Sequence, residues 1–190
     1  MKKAVRLMVS LSLICGICGL LLAFVKSATR ERIALQLLQN VQGPAVGRVL
    51  PGSDNDLLKD RKEVKLPDTT LLVFVGKKGA EVWSVAFESF APGYGGPVGV
   101  VTGFDLSNDT LTGIGITSCT ETPGLGLRVR EPAFCDRFRG RGLADSLCIS
   151  KDGGVIDAVS GATISSRAVC TAVRQNIKRY AAVKTALQGK

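Results

Sequence analysis

The chain has 190 residues, a length that suits one folded domain with an additional segment. Its formal net charge of +9 comes from 25 basic and 16 acidic residues, and only 5% of the residues are aromatic. The basic residues are scattered and few aromatic side chains could stack on bases, so the composition argues against nucleic-acid binding. The positive charge is better suited to anionic lipid or to acidic partner proteins.

The chain contains no histidine, which excludes imidazole as a general base or as a metal ligand. Two of its six cysteines lie in an apolar run near the N-terminus, and the other four are Cys119, Cys135, Cys148 and Cys170. None of these four forms the Cys-x-x-Cys pair that zinc and iron–sulfur sites usually contain. The sequence therefore predicts no metal site, and it leaves open whether the four cysteines form disulfides.

Residues 7–25 form an apolar stretch of 19 residues without a charge. As a helix, this stretch would be about 28 Å long, close to the thickness of a bilayer core. A secretory signal has a shorter apolar stretch and ends in a small-residue cleavage site, whereas residues 25–28 make a poor site. We therefore predict an uncleaved membrane anchor over residues 1–28. Basic residues on its two sides nearly balance, so the positive-inside rule gives only weak support for an inside N-terminus.

Residues 29–68 are predicted to connect the anchor to the domain. Within this connector, residues 29–42 have the apolar spacing of a short amphipathic helix, and Gly43–Pro44 is expected to end it. Residues 55–68 are charged and are predicted to be a loop. The remaining residues, 69–190, are predicted to form a single domain.

Four strands are predicted in the first part of this domain. The segment TTLLVFVGKKGAEVWSVAFES has the pattern of a hairpin with its turn at residues 77–79. Two further strands are indicated around residues 98–101 and 111–116, with a turn at Asn108–Asp109. The pattern predicts an antiparallel sheet.

A helix is predicted near the end of the chain, where apolar residues from Ala168 to Tyr180 recur at three- and four-residue steps. Ser165 or Ser166 is the expected N-cap of this helix. Strands in series with helices at both ends indicate an α+β fold, in which an antiparallel sheet has flanking helices.

Three short stretches of small residues stand out among the predicted loops. Gly93–Gly96 is a glycine-rich turn, and Glu121–Gly126 places two glycines and a proline in a rigid, open loop. Such loops allow backbone amides to approach a flat or anionic ligand, although any loop between strands can have this composition. The third stretch, Ser160–Thr163, precedes the last predicted helix, whose N-terminal N–H groups and dipole would favour a phosphate.

The three stretches occur in a specific order behind one N-terminal anchor: GYGGPVGVVTGFD, then ETPGLG, then DAVSGATISSRAV. In this order the chain resembles the G subunit of the Rnf electron-transport complex. That family carries an FMN-binding domain that is shared with the C subunit of the sodium-pumping NADH:quinone oxidoreductase. The resemblance covers essentially the whole chain and is sharpest over residues 93–170.

The resemblance implies that FMN is covalently attached to Thr163. In these families, a flavin transferase attaches FMN within a D-x-x-S-G-A-T signature, through a phosphodiester bond to the threonine hydroxyl. Five residues match that signature position by position: Asp157, Ser160, Gly161, Ala162 and Thr163. The other implied FMN-binding residues are Tyr94, Glu121, Thr122, Pro123, Gly124, Leu125 and Gly126.

The resemblance also implies a role and a location. The protein would relay electrons through FMN between the members of a membrane complex that couples electron flow to ion translocation, and it would have no catalytic residues of its own. Its partners would be the other membrane subunits of that complex and a flavin transferase. The chain would cross the cytoplasmic (inner) membrane once, with its domain on the outer, periplasmic side.

In one position the sequence departs from the family. A histidine commonly precedes the E-T-P-G-L-G loop in the family, and Cys119 occupies that position here. Two alternatives stay open. The chain could be a free-standing flavin-carrying reductase or sensor accessory, or a flavin-free, membrane-tethered binding module.

Overall fold

The computed structural model describes residues 2–67 and 69–188. The chain divides into two compact units, Met1–Asn40 and Val41–Lys190. The first unit is formed almost entirely by helix α1 (Lys2–Leu37). A single π-helical turn, Leu38–Gln42, leads into helix α2 (Gly43–Val49), which belongs to the second unit.

The N-terminal helical region is long and apolar enough to cross a membrane, by its length and composition. Its apolar side chains are exposed, among them Leu7, Leu13 and Leu22. This agrees with the predicted anchor. The prediction that the helical region ends at Gly43–Pro44 is wrong, because Pro44 falls in the first turn of α2. Proline is tolerated in the first turn of a helix, where its fixed φ suits the helical conformation.

The second unit is built on a five-stranded antiparallel sheet in the order β1-β2-β3-β4-β5. Each strand pairs with the next along the chain: β1 (Arg61–Lys65), β2 (Thr70–Lys78), β3 (Glu81–Pro92), β4 (Pro97–Asp105) and β5 (Thr110–Ser118). The four predicted strands are confirmed as β2 to β5, and the predicted turn at Asn108–Asp109 is confirmed as well. The first hairpin turns at Gly79–Ala80 rather than at residues 77–79, because β2 continues to Lys78. The antiparallel α+β fold is confirmed with them.

Strand β1 lies in the segment that was predicted to be a loop. It pairs with β2 from Arg61 opposite Phe74 to Lys65 opposite Thr70. Its sequence, RKEVK, buries only Val64. A charged strand of this kind is typical of a sheet edge, where its polar side chains stay in solvent. The pattern of apolar residues therefore gave no signal for it.

A short helix, α3 (Pro132–Cys135), follows the sheet in the chain. Helix α4 (Thr163–Gln188) packs on one face of the sheet and encloses the main core. The rings of Phe87 and Phe104 stack with centroids 5.2 Å apart, and Tyr180 of α4 stacks on Phe104 at 4.6 Å. Such aromatic pairs stabilise a core beyond the area they bury. The predicted closing helix is confirmed, and it begins at Thr163.

A buried amide joins α4 to the middle of the sheet. The Asn176 side chain donates hydrogen bonds to the carbonyl oxygens of Phe87 and Val100 and to Thr102 Oγ1, at 2.9–3.3 Å. Its Oδ1 accepts a bond of 2.5 Å from Ser89 Oγ. Because each polar atom of this buried side chain has a partner, Asn176 fixes the position of α4 along β3 and β4.

Helix α2 covers the opposite face of the sheet. Glycines in β4 and β5 leave room for it: a Cβ at Gly103 would overlap the Val49 side chain, and one at Gly115 would lie 3.1 Å from Ala45 Cβ. Thr112 Oγ1 donates to Val49 O at 2.5 Å. Close approach at the two glycines therefore seats α2 against the two strands.

Candidate functional site

The three predicted loops meet at one end of the sheet. Residues 93–96 connect β3 to β4, residues 119–126 follow β5, and residues 157–162 lead directly into α4. In an antiparallel sheet, the β3–β4 turn and the exit of β5 lie at the same end. Helix α4 starts at that end as well, so the fold brings together all three stretches that stood out in the sequence.

The first two loops are joined by Glu121. Its Oε1 accepts a hydrogen bond of 2.7 Å from the backbone N–H of Tyr94, and Glu121 is only 5% exposed. Beside it, Thr120 Oγ1 donates to the carbonyl oxygen of Gly95 at 2.9 Å. The glycine-rich turn is thus held against the segment that enters the second loop. The Tyr94 side chain itself is 74% exposed.

The second loop also contacts the third. Gly161, at φ +77°, faces Leu125, whose Cδ2 would lie 3.1 Å from a Cβ at that glycine. Gly126 lies so close to the first turn of α4 that its Cβ would be 2.8 Å from Ser165 Oγ. Leu125 is half exposed while Gly126 is buried. The second loop thus offers Leu125 to the solvent side and packs on the helix through Gly126.

The hydroxyl groups around the start of α4 differ in exposure. Ser165 and Ser166 are buried, and Ser166 Oγ is occupied: it donates to Ala162 O at 2.9 Å and accepts from Val159 N at 3.0 Å. Thr163, the first residue of the helix, is partly exposed, and Ser160 is exposed. The predicted N-cap role of Ser165 or Ser166 is wrong, because both residues lie inside the helix.

Asp157 is fixed by residues that the sequence did not single out. Ser150 Oγ donates to Asp157 Oδ1 at 2.8 Å, and the Arg137 guanidinium donates to the Asp157 carbonyl oxygen. Ser150 and Arg137 lie outside the three motifs of small residues. The sequence did not reveal their role because they reach Asp157 through the tertiary fold.

A second polar contact holds the first turns of α4. Arg167 on α4 forms two hydrogen bonds to the Asp152 carboxylate, at 2.7 and 2.9 Å. The bond from Arg167 keeps the pKa of Asp152 below its usual value. Both side chains are partly exposed, so this pair orients the first turns of α4 more than it stabilises the fold.

Cys119 occupies the position before the second loop where a histidine was expected from the resemblance. The thiol is half buried, and burial raises its pKa above the usual value. The thiol is therefore protonated at neutral pH and is a weak nucleophile there. Burial also raises the pKa of Cys170, to about 12. In this structure, both side chains act as small apolar groups.

The predicted site residues fall into three groups by exposure. Those open to solvent are Tyr94, Thr122, Pro123, Gly124, Leu125, Asp157, Ser160 and Gly161. Thr163 is intermediate. Those that are buried are Glu121, Gly126 and Ala162. The open residues and Thr163 form the accessible surface of the site, and the buried ones lie beneath it.

Comparison with known proteins gives consistent results. A family model described as an FMN-binding domain matches residues 93–178. The chain is 33% identical over 173 residues to the G subunit of the ion-translocating oxidoreductase complex of Cereibacter sphaeroides, covering 86% of this chain and 78% of that protein. The G subunit from Vibrio vulnificus is 32% identical, with 86% and 82% covered, and that from Methanosarcina acetivorans is 28% identical, with 93% and 94% covered.

A solved structure has a similar fold. It is that of the C subunit of the Na(+)-translocating NADH-quinone reductase from Parabacteroides distasonis, with a TM-score of 0.53 and 23% sequence identity. The similarity covers 62% of this chain and 64% of that one. At this identity the comparison establishes the fold of the second unit.

Proposed function

The chain belongs to the family of the G subunit of ion-translocating oxidoreductase complexes, and from this premise we propose that it is a membrane-anchored electron-transport flavoprotein whose FMN is attached to Thr163. The family and the FMN-binding domain support the flavoprotein role. The apolar N-terminal helix supports the anchor. The covalent link is proposed from the match of Asp157 and Ser160–Thr163 to the family's signature, and the geometry around the start of α4 supports its position.

The residues at this site fit FMN. The first N–H groups of an α-helix have no acceptor within the helix, and with the helix dipole they favour a phosphate group. Thr163 begins α4 and its side chain is partly exposed, so its hydroxyl lies where a phosphate would be best stabilised. The exposed Tyr94 and Leu125 side chains offer apolar surface to a flat ring. At Gly124, no atom lies within 4 Å of a built Cβ, so that side of the loop is open.

The observation that carries the assignment is the contrast among the hydroxyl groups. Ser165 and Ser166 are 2% and 0% exposed, so a transferase and a flavin could not reach them without unfolding the helix start. Ser160 is accessible but precedes the helix. Thr163 alone among these four combines access with the helix N-terminus. Relative to free FMN and the unmodified chain, attachment would form a bond between Thr163 Oγ1 and the phosphorus and break one P–OH bond, and the threonine proton and that hydroxyl together account for the loss of one water.

When bound, FMN would supply electron transfer in steps of one or two electrons. The protein's part is to hold the cofactor, to set its exposure and to keep it beside its neighbours. The phosphodiester would prevent loss of FMN from an open site, and the anchor would keep the domain next to the other membrane subunits. We further propose that electron flow through these subunits is coupled to ion translocation, that a flavin transferase matures the protein, and that the domain lies on the outer side of the inner membrane.

The test is the intact mass of the full chain after co-expression with a flavin transferase. We expect the wild-type chain and Ser160→Ala to gain the mass of one FMN less one water, and Thr163→Ala to gain nothing. Thr163→Ser keeps a hydroxyl and should retain part of the modification.

Modification at Ser160, or a mass gain that survives in Thr163→Ala, would show that the attachment site is wrong. A wild-type chain that never acquires flavin would favour a flavin-free binding module. Flavinylated protein that purifies from membranes without other subunits would favour a free-standing reductase or sensor accessory.

A further inference from the structure

Glu121 is the acid that lies at the junction of the three loops. It is buried, and its Oε1 accepts the Tyr94 backbone N–H at 2.7 Å. A hydrogen bond to a charged acceptor is about twice as strong as one between neutral groups. Because the loop residues themselves enclose the carboxylate, it has little surface left with which to touch a ligand.

Two glycines from two different loops make room for this carboxylate. A Cβ at Gly93 would overlap Glu121 Oε1, and a Cβ at Gly126 would lie 2.6 Å from Oε2. Real Cβ atoms do not approach an oxygen so closely, so any larger residue would displace the carboxylate. Both glycines are therefore required for the packing of Glu121, independently of any ligand.

The contacts continue from Glu121 to the start of α4. Gly126 packs between Glu121 and Ser165: its Cβ would lie 2.8 Å from Glu121 Cβ and also 2.8 Å from Ser165 Oγ. Ser165 is buried in the first turn of α4, two positions after Thr163. A continuous chain of close contacts thus joins the backbone of Tyr94 to the turn that carries the proposed attachment residue.

We propose that Glu121 is a positioning residue that fixes the Tyr94 turn against the first turn of α4, and so sets where the Tyr94 ring lies relative to FMN on Thr163. This inference rests on the proposed function. Glu121 acts on the flavin through Tyr94 and does not contact it. The exposed Tyr94 side chain has no burial of its own to hold it, so its position depends on its backbone.

The first measurement concerns the loops alone and needs no flavin. In the full-length, flavin-free Thr163→Ala protein, Glu121→Ala should accelerate hydrogen exchange of the Tyr94 amide about tenfold, because the amide loses its hydrogen-bond acceptor. Glu121→Gln keeps an oxygen acceptor of the same reach and should change the rate much less. Glu131→Gln is the matched control, since Glu131 is an exposed acid nearby that pairs with Arg128.

The second measurement concerns the attached flavin. In the full-length protein carrying FMN, Tyr94→Ala and Glu121→Ala should each raise flavin fluorescence, because an aromatic ring near a flavin quenches it. They should also shift the flavin potential; a tenfold change in relative affinity for the two redox forms corresponds to about 30 mV in a two-electron couple. The Tyr94→Ala/Glu121→Ala double variant should have the same flavin fluorescence and potential as Tyr94→Ala, because Glu121 has no effect once the ring it positions is gone.

Three outcomes separate the possibilities. The positioning role is overturned if the effects of Tyr94→Ala and Glu121→Ala on flavin fluorescence and potential add up in the double variant. It is also overturned if Glu121→Ala changes neither the exchange of the Tyr94 amide nor, with FMN attached, the flavin fluorescence and potential. A wild-type chain without FMN overturns the proposed function instead, a result that the mass measurement reveals directly. If Glu121→Ala does not fold, Glu121→Asp provides the same test, because its shorter side chain keeps the charge but withdraws the acceptor from Tyr94.

Discussion

Two kinds of glycine build the loops around Thr163. Gly93, Gly95 and Gly126 are packed so tightly against Thr120 or Glu121 that no side chain would fit. Gly124 and Gly161 both have φ of +77°, a conformation that other residues rarely adopt. The first kind holds the loops to one another, and the second shapes the surface that faces solvent. A ligand would therefore contact loops that are packed closely against one another and that have glycines at the surface.

A second acid, partly buried, lies away from this site on the α2 face of the sheet. Glu88 accepts hydrogen bonds from the Thr117 hydroxyl and, at 3.0 Å, from Gln42 Nε2. Burial raises the pKa of Glu88 above its ordinary value of 4.5, although both hydrogen bonds act in the opposite direction. Desolvation therefore outweighs the two bonds, and ionising Glu88 works against folding.

This gives a pH-dependent prediction. The folded-state pKa is raised, so the stability associated with protonated Glu88 is fully present below the ordinary pKa and is lost as pH rises through the raised value. Glu88→Gln should remove this loss, which is at most about 1.4 kcal/mol per pH unit. Urea unfolding between pH 4 and pH 8 measures how the free energy of unfolding changes with pH, and Glu131→Gln, a change at an exposed acid, is the control. An identical pH slope in Glu88→Gln and wild type would contradict the prediction.

At the scale of elements, α4 serves both the core and the site. Its first residue is Thr163, its middle is fixed to β3 and β4 by Asn176, and its later turns are tied to the β4–β5 turn. There, Asp109 accepts 2.5 Å bonds from both Tyr180 and Lys184, and these bonds lower the pKa of Asp109. The position of Thr163 thus depends on contacts along most of the helix.

Removal of the buried amide should therefore destabilise the domain. Asn176→Ala removes the hydrogen bonds that this side chain donates to two backbone carbonyl oxygens and accepts from the Ser89 hydroxyl, and it also opens a small cavity. We expect a loss of about 2–4 kcal/mol in the free energy of unfolding. Chemical denaturation of the flavin-free protein measures it. Lys178→Ala, an exposed change on the same helix, should stay within about 0.5 kcal/mol of wild type, and a similar loss in both variants would refute the role of Asn176.

At the scale of the whole molecule, an apolar helix long enough to cross a membrane and a folded domain form two compact units of one chain. The large apolar side chains described along the N-terminal helix are exposed, and a lipid bilayer would cover them. The domain has its own core and carries the site. Such an arrangement suits a protein whose cofactor must stay close to membrane subunits.

The side of the membrane can be tested with reporters fused after Lys190. An enzyme that is active only outside the cytoplasm should be active in this fusion, and one that is active only in the cytoplasm should be inactive. The same two reporters fused before residue 2 should give the opposite pattern. Cytoplasmic activity at the C-terminal fusion would place the domain on the inner side and overturn the proposed orientation.

The sequence by itself determined the features that depend on neighbouring residues. The anchor follows from an unbroken apolar stretch, β2 to β5 from alternating apolar residues, and α4 from apolar residues at three- and four-residue steps. The ordered motifs around Gly93, Glu121 and Thr163 identified the family. Each of these signals lies within a short segment, where local spacing reflects which side chains are buried.

Only the tertiary structure decided how those segments meet. Glu121 lies 27 positions from Tyr94, and their hydrogen bond exists because the lengths and register of β4 and β5 bring the two loops to the same end of the sheet. Strand β1 forms because β2 offers it an open edge, although its own residues are mostly charged. Ser165 and Ser166 are buried because α4 begins three residues earlier than a cap at Ser165 would require. Pairing and burial between distant segments depend on the whole fold, and no local pattern records them.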